Sequence, residues 1–162
     1  MSFPKSALLT ALSATLLLAA YPIEAAGGSA DVKVKAQLDQ KKTPYKIDED
    51  GDFRITVRLQ SGRTQLVWVR SAVESAGTFS VREIWSPGYK SPQADFSATI
   101  ANLLLSKSDR LKMGSWVKQE NMAMLVVKIP ANATADQLDD AVDYAATVAD
   151  EMESELTGKD DL

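Results

Sequence analysis

The sequence contains neither cysteine nor histidine among its 162 residues. Without cysteine the chain can form no disulfide, carry no lipid on an N-terminal cysteine and offer no thiolate nucleophile. Without histidine it lacks the most common general base and an ordinary ligand of zinc or copper. Serines such as Ser86 and Ser115 have no Gly-x-Ser-x-Gly context, and no phosphate-binding glycine loop is present. We therefore expect a non-enzymatic protein without metal or cofactor; a Glu/Asp pair acting as acid and base is the alternative.

Long apolar runs are confined to the N-terminus. Lys5 is followed by an uncharged stretch, residues 6–23, and then by small residues, a layout typical of secretory signal peptides. Its apolar core, residues 7–20, is shorter than the roughly 20 residues that a membrane-spanning helix needs. We predict a signal peptide over residues 1–25, cleaved after Ala25, and a periplasmic or secreted mature protein outside the membrane. An uncleaved anchor is the alternative.

The chain also has no dense cluster of basic residues. Residues 26–135 carry sixteen basic and eleven acidic side chains, whereas residues 136–162 carry ten acidic side chains and one lysine. A nucleic-acid partner is therefore not expected. The acidic C-terminal helix and the acidic tail, residues 158–162, can mark a partner surface, although a solvated helix face explains them equally well.

Residues 26–157 have the length of a single domain. Their periodicity predicts helices over residues 31–42 and 92–107 and from Thr134 onward, and strands over residues 45–47, 53–59, 63–70, 78–85, 114–119 and 123–129. A Pro/Gly loop is expected over residues 86–93. Because the strands follow one another in hairpins, we predict an α+β fold, an antiparallel sheet covered by helices in the order α-β-β-β(-β)-α-β-β-α.

The last helix has the most regular pattern. Thr134 and Gln137 match the Thr-x-x-Gln capping box at its start. Apolar residues then recur at spacings of three and four, namely Leu138, Val142, Ala145, Ala149, Met152 and Leu156. We expect this stripe to pack on the sheet, with Val142 in the core. Self-association is the alternative, and it makes Leu138, Val142 and Met152 candidate contacts in a homodimer or with another partner.

The segment from Tyr45 to Ile55, YKIDEDGDFRI, clusters four acidic residues around Gly51. A calcium-binding EF-hand loop that began at Asp48 would need glycine at its sixth position and glutamate at its twelfth. Those positions hold Phe53 and Leu59. Asp-Gly is a pair that favours a type I′ hairpin turn, so we predict a turn and no metal site.

The aromatic residues give the remaining candidates. Trp68 and Trp116 lie on predicted strands, and we expect both to fill the core face of the sheet. Trp85 and Tyr89 flank a Pro/Gly segment and could together form an exposed anchor for a partner.

Two segments carry a resemblance to a known family: LDQKKTPYKIDEDGDFRITV, and the stretch from GSWVKQENMAMLVVKIP through the last helix. In their Tyr and Asp-Gly-Asp turn, their Gly-x-aromatic strand and their final hairpin and helix, they resemble the YbjN family of bacterial proteins. That family is labelled a sensory transduction regulator and has no catalytic motif. Its fold is similar to that of type III secretion chaperones, which bind extended protein segments, usually as dimers.

The resemblance implies a chaperone-like or regulatory module that binds a protein or peptide partner, and the predicted signal peptide adds that this module is exported. The alternative is a sensory input domain with a small-ligand pocket between helix and sheet.

Overall fold

The computed structural model of the chain describes residues 28–162, so the predicted signal peptide lies outside the described residues. Within these residues, nine elements follow in order: α1 Val32–Lys41, β1 Lys46–Ile47, β2 Phe53–Arg58, β3 Thr64–Ala76, β4 Phe79–Lys90, α2 Ala98–Ser108, β5 Ser115–Gln119, β6 Met122–Pro130 and α3 Ala135–Thr157. Within residues 28–162, none of the helices has the length and apolar character needed to cross a bilayer.

The six strands form one sheet in the order β1-β2-β3-β4-β6-β5. Every neighbouring pair is antiparallel. The chain leaves β4, forms α2 and the edge strand β5, and returns through β6 to lie beside β4. The predicted α+β fold with an antiparallel sheet is therefore confirmed, and the order of its elements follows the prediction.

The helices pack on one face of the sheet, which we call the core face. On β2, the alternation of apolar and polar residues directs Phe53 and Ile55 into the core and leaves Arg54 and Thr56 exposed. The core joins side chains of all three helices to alternate residues of β2 to β6; among them are Val34, Leu104, Val67, Val69, Ile84, Trp116, Leu125 and Val127. This arrangement leaves the opposite face of the sheet without a helix from the described part of the chain.

Helix α3 forms the centre of this helical layer. The Thr134 amide donates to Gln137 Oε1 at 2.9 Å, and the Gln137 amide donates to Thr134 Oγ1 at 3.2 Å, which confirms the predicted capping box. Val142 is 2% exposed, so the prediction that it belongs to the core is confirmed. Ala145 and Ala149 are fully buried, and their small side chains let α3 lie close to the sheet.

The predicted Pro/Gly loop over residues 86–93 is wrong in its first half. Strand β4 continues through Ser86 to Lys90 and pairs with β6. Its register shifts between Pro87 and Tyr89, and a bulge is a place where a strand tolerates proline. Gly88 is also needed there, because a Cβ at this position would lie 2.4 Å from Cη2 of Trp116.

The acidic segment forms the predicted hairpin turn between β1 and β2, but the turn type differs. The Gly51 amide donates to the Asp48 carbonyl at 3.0 Å. Gly51 has a φ of +81°, whereas Asp50 is not among the residues with positive φ. A type I′ turn needs positive φ at both central residues, so the geometry is instead a type I turn followed by a left-handed glycine.

Candidate binding surface

The sheet face opposite the helices, which we call the open face, carries a continuous apolar patch on four adjacent strands. The pairing of β3, β4, β6 and β5 brings these residues together. The patch consists of Leu66, Trp68, Trp85, Pro87, Val117, Met122, Met124 and Val126.

The patch is separate from the hydrophobic core. Met124 and Val126 are 7% and 3% exposed, yet neither belongs to the core cluster that joins the sheet to the helices. Trp68 and Trp85 are half-buried and pair directly across β3 and β4. These side chains pack against one another on a face to which the described helices contribute no core residue.

The two tryptophans predicted for the core lie on opposite faces. Trp116 is 8% exposed and belongs to the core, as predicted, but the prediction for Trp68 is wrong. On β3 the core positions belong to Gln65, Val67 and Val69. The buried Gln65 is held there because its Nε2 donates to the Pro87 carbonyl at 2.6 Å.

Trp85 is fixed in place by polar neighbours. Its Nε1 donates to Glu83 Oε2 at 2.9 Å, and Glu83 Oε1 lies 2.9 Å from Lys128 Nζ. Burial raises the pKa of Glu83, but the hydrogen bonds from Lys128 and Trp85 outweigh it and hold the pKa below its ordinary value. The guanidinium of Arg70 lies 5.7 Å from the ring centroid of Trp85, within cation–π range. The indole is therefore oriented before any partner arrives.

The structure does not bring Tyr89 together with Trp85. Because of the bulge in β4, Tyr89 pairs with the core-face residue Ala123. Its ring contacts Phe96 with centroids 5.8 Å apart and packs against the core. The predicted joint anchor of Trp85 and Tyr89 is therefore not formed.

The candidate contacts on α3 are equally remote from the surface. Leu138, Val142 and Met152 are 2%, 2% and 4% exposed and belong to the core between α3 and the sheet. A partner could reach them only after α3 had left the sheet.

A shallow cleft of about 280 Å³ lies on the open face, between the indoles and the acidic turn. We call it the Trp cleft. It is lined by Asp48, Asp50, Asp52, Trp68, Arg70, Trp85, Pro87, Gln119, Met122 and Met124.

The carboxylates of the acidic turn have different roles. Asp48 Oδ1 accepts from the amides of Asp50 and Asp52 at 3.1 and 2.9 Å, so Asp48 stabilises the turn itself. Asp52 is 5% exposed; it accepts from the Ser71 amide at 2.6 Å and lies 2.5 Å from Arg70 Nε. Asp50 is exposed, and within the described residues its carboxylate has no hydrogen-bond or ion-pair partner.

A second cleft, of about 670 Å³, lies between the β2–β3 turn and α3. We call it the helix cleft. Its lining combines apolar, hydroxyl and acidic groups from Val57, Arg58, Leu59, Gln60, Ser61, Asp143, Thr147, Asp150 and Glu151. Partial burial, together with the neighbouring carboxylates of Asp139 and Asp140, raises the pKa of Asp143. The walls of this cleft therefore carry a negative potential.

The acidic residues at the end of α3 form an ion-pair network with Arg63. Carboxylate oxygens of Asp150, Glu153 and Asp160 come within 4.8 Å of one another. Arg63 Nε lies 2.6 Å from Asp150 Oδ1, and Arg63 Nη2 lies 3.3 Å from Glu153 Oε2. The Thr64 amide donates to Asp160 Oδ1 at 3.1 Å, so these contacts indicate a structural role that joins the end of α3 and the residues after it to the β2–β3 turn.

No protein-family model matches the chain, and no curated protein matches it.

Sequence reasoning identified Trp85 but missed its neighbours Met122, Met124 and Val126. The signal was present in the run AMLVVKI, residues 123–129. In an antiparallel sheet, a strand with one solvated face alternates apolar and polar residues. A strand sequence that is apolar at consecutive positions therefore indicates apolar side chains on both faces of the sheet.

Proposed function

We propose that this chain is an exported, non-enzymatic module that binds a protein segment on the open face of its sheet. The observation that carries the proposal is the apolar patch on that face, with two tryptophans and two methionines at its centre. Tryptophan and methionine are enriched in protein interfaces, and tryptophan most often supplies the binding energy.

The Trp cleft is a shallow hollow on the open face, which suits part of a protein segment. At about 280 Å³, it lies at the lower limit of the range of about 300–1,000 Å³ that small-molecule sites usually enclose. A space of this size accommodates one or two side chains of a peptide that lies across the sheet.

The non-enzymatic part of the proposal is supported by composition and by the ion pairs. Histidine and cysteine are missing from the sequence, and the most buried carboxylates, those of Asp52, Asp150 and Glu153, are each bound to an arginine. These ion pairs give the three carboxylates a structural role in the fold.

Site-specific photo-crosslinking in cells tests this function. A photoreactive amino acid placed at position 68 or 85 should give a defined protein adduct. Phe79 is the matched control, because it lies on β4 like Trp85, is 73% exposed and is outside the patch. Adducts from position 79 but none from positions 68 and 85 would refute the open face as the binding surface.

A small-ligand sensory domain is the second candidate, and the helix cleft favours it. Its volume of about 670 Å³ lies within the usual range for ligand sites, and it lies between helix and sheet, where the alternative from sequence expected a pocket. A metabolite that copurifies with the chain and is lost in Thr147→Trp, which would fill this cleft, would favour the second candidate.

Export and family membership are parts of the same proposal. Fractionation should recover a shortened chain in the periplasm with its N-terminus near Ala26, whereas a full-length chain in the membrane fraction would show that the leader is an anchor. The YbjN relationship and the secretion chaperone-like fold are supported by the motifs quoted above. An experimental structure of a YbjN protein whose strand order differed from β1-β2-β3-β4-β6-β5 would count against both.

A further inference from the structure

We infer that the segment bound by the open face carries a positively charged side chain between apolar ones, and that this side chain enters the Trp cleft beside Asp50. The inference rests on the proposed function and adds to it the chemistry of the partner.

The area of the patch argues for a short segment instead of a second copy of this chain. Four strands at about 4.8 Å spacing, with roughly five residues along each, give a footprint on the order of 300 Å². A stable protein–protein interface buries about 800 Å² on each partner. The footprint of the patch is large enough for a single extended peptide, whereas a dimer would need further contacts outside the patch.

The charges around the Trp cleft favour a cation. Asp52 is neutralised by Arg70, but neither Asp48 nor Asp50 forms an ion pair within the described residues. Two carboxylates without an ion pair among the described residues therefore lie beside an apolar surface. A cationic side chain with a long apolar stem satisfies both parts of such a surface.

The indoles contribute a second attraction. A cation above an indole ring is attracted by its π-electrons, and the Arg70 guanidinium shows this contact on Trp85. The described residues place no cation within that range of Trp68. The Trp68 ring, which lines the same cleft as Asp50, is thus the position left for a cation from the partner.

Basic residues near the Trp cleft oppose the partner's charge: Arg70 lines the cleft but pairs with Asp52, whereas Lys46 and Arg54 lie in the neighbouring hollow. Arg54 pairs in register with Trp68 and lines a neighbouring hollow together with Lys46, Asp48, Glu49 and Asp50. It forms an ion pair with none of these carboxylates. Removal of its charge should therefore strengthen the binding of a cationic segment, an effect that a purely structural role for Arg54 would not produce.

The experiment measures binding of two short, blocked peptides to the full chain. One alternates leucine and lysine, and the other alternates leucine and glutamate. The lysine peptide should bind more tightly, on the order of tenfold, and should change the fluorescence of Trp68. Its affinity should fall as ionic strength rises from about 0.01 to 1 M, because the Debye length shortens from about 30 to 3 Å.

Three variants test the position of the cation. Asp50→Asn should weaken binding of the lysine peptide about two- to five-fold, the usual effect of one exposed charge pair. Asp140→Asn is the matched control, because it removes the same charge from an exposed position on α3 and should leave the affinity unchanged. Arg54→Gln should strengthen binding about two- to five-fold.

The outcomes separate this inference from the proposed function. Equal binding of the two peptides, or equal effects of Asp50→Asn and Asp140→Asn, would overturn the inferred chemistry while photo-crosslinks from position 68 could still support the open face. A dimer in light scattering that Trp68→Ala converts to a monomer would overturn it too, because a second copy would then be the occupant. Loss of the crosslinks themselves would remove the proposed function and the inference together.

Discussion

Gly88→Ala tests how the bulge of β4 and the core depend on each other. The added Cβ would lie 2.4 and 2.6 Å from Cη2 and Cζ3 of Trp116 and 3.2 Å from the Ala149 carbonyl oxygen. Carbon atoms in contact prefer separations of about 3.5–4.0 Å, so the indole would have to move by about 1 Å. Trp116 is 8% exposed and packed in the core, which leaves it little room.

Two opposing contributions determine the change in unfolding free energy. Overpacking of this kind costs about 1–3 kcal/mol. Gly88 is not in the left-handed region, so alanine fits its backbone conformation. Because alanine has less conformational entropy than glycine in the unfolded chain, the substitution also stabilises the fold by about 0.4–1 kcal/mol. We expect a net destabilisation of about 1–2 kcal/mol, which for a domain of this size lowers the melting temperature by about 3–8 °C.

A double-mutant cycle in calorimetry identifies the cause. Phenylalanine lacks the outer ring atoms Cη2 and Cζ3, so in a Trp116→Phe background Gly88→Ala should become neutral or slightly stabilising. The exchange also removes the buried Trp116 Nε1, which has no acceptor within the described residues. An equal loss of stability in both backgrounds would refute the steric argument, because distant or independent effects add.

Four further predictions concern stability and metal binding. Thr134→Ala removes the capping box and should cost about 1 kcal/mol, whereas Thr147→Ala, exposed on the same helix, should cost less in the same denaturant titration. Val142→Asp buries an unpaired charge at a cost of several kcal/mol, roughly the whole stability of a small domain. It should therefore abolish the calorimetric unfolding transition, whereas the control Thr147→Asp should keep it. A Val142→Asp variant that still unfolds cooperatively but changes from dimer to monomer would place the α3 stripe in an interface. Burial raises the pKa of Asp31, but hydrogen bonds from the Val34 amide and Arg82 outweigh it and lower the pKa. The stabilising effect of this carboxylate is therefore present above about pH 4 and lost as pH falls through the lowered pKa. Denaturant midpoints of Asp31→Asn should depend less on pH below about 4 than those of the wild type, and an unchanged pH dependence would contradict this. Calorimetry should detect no micromolar calcium affinity at the acidic turn, and tight binding that Asp50→Ala abolishes would overturn the hairpin-only interpretation.

Local patterns predicted most of the elements because the signals were mutually consistent. On β2, Phe53 and Ile55 alternate with Arg54 and Thr56, and only one assignment of faces is possible. On α3, the capping box and the apolar spacing both indicate a helix that starts at Thr134. In each case the side chains that face solvent are polar, so the sequence alone distinguishes the buried face.

The prediction failed where both faces of a strand are apolar. On β3, Leu66 and Trp68 alternate with Val67 and Val69, and nothing local shows which pair faces the helices. That choice depends on the pairing of β3 with β2, which places Val69 opposite Phe53. The Pro87–Gly88 bulge was missed for a similar reason, because long-range pairing with β6 overrides the local turn preference of these residues.

The acidic turn shows how a structural network can prepare a binding group. Ser71 Oγ donates to the Gly51 carbonyl at 2.6 Å and accepts from the Asp31 amide at 3.0 Å, which joins the turn to the start of α1. Arg82 continues the connection, since it donates to Asp31 Oδ2 at 2.7 Å and to the Ser71 carbonyl at 2.9 Å.

Because the turn is held from β3 and from α1, the backbone that carries Asp50 is fixed before a partner binds. The charge of Asp50 is therefore presented to the Trp cleft with little further loss of conformational entropy, and such preorganisation is a main source of affinity for small interfaces. Ser71 does not line the Trp cleft. Ser71→Ala should nevertheless weaken binding of the lysine peptide, in proportion to the mobility that it adds to residues 48–52. An unchanged affinity alongside faster amide exchange in the turn would show that the network serves the stability of the fold alone.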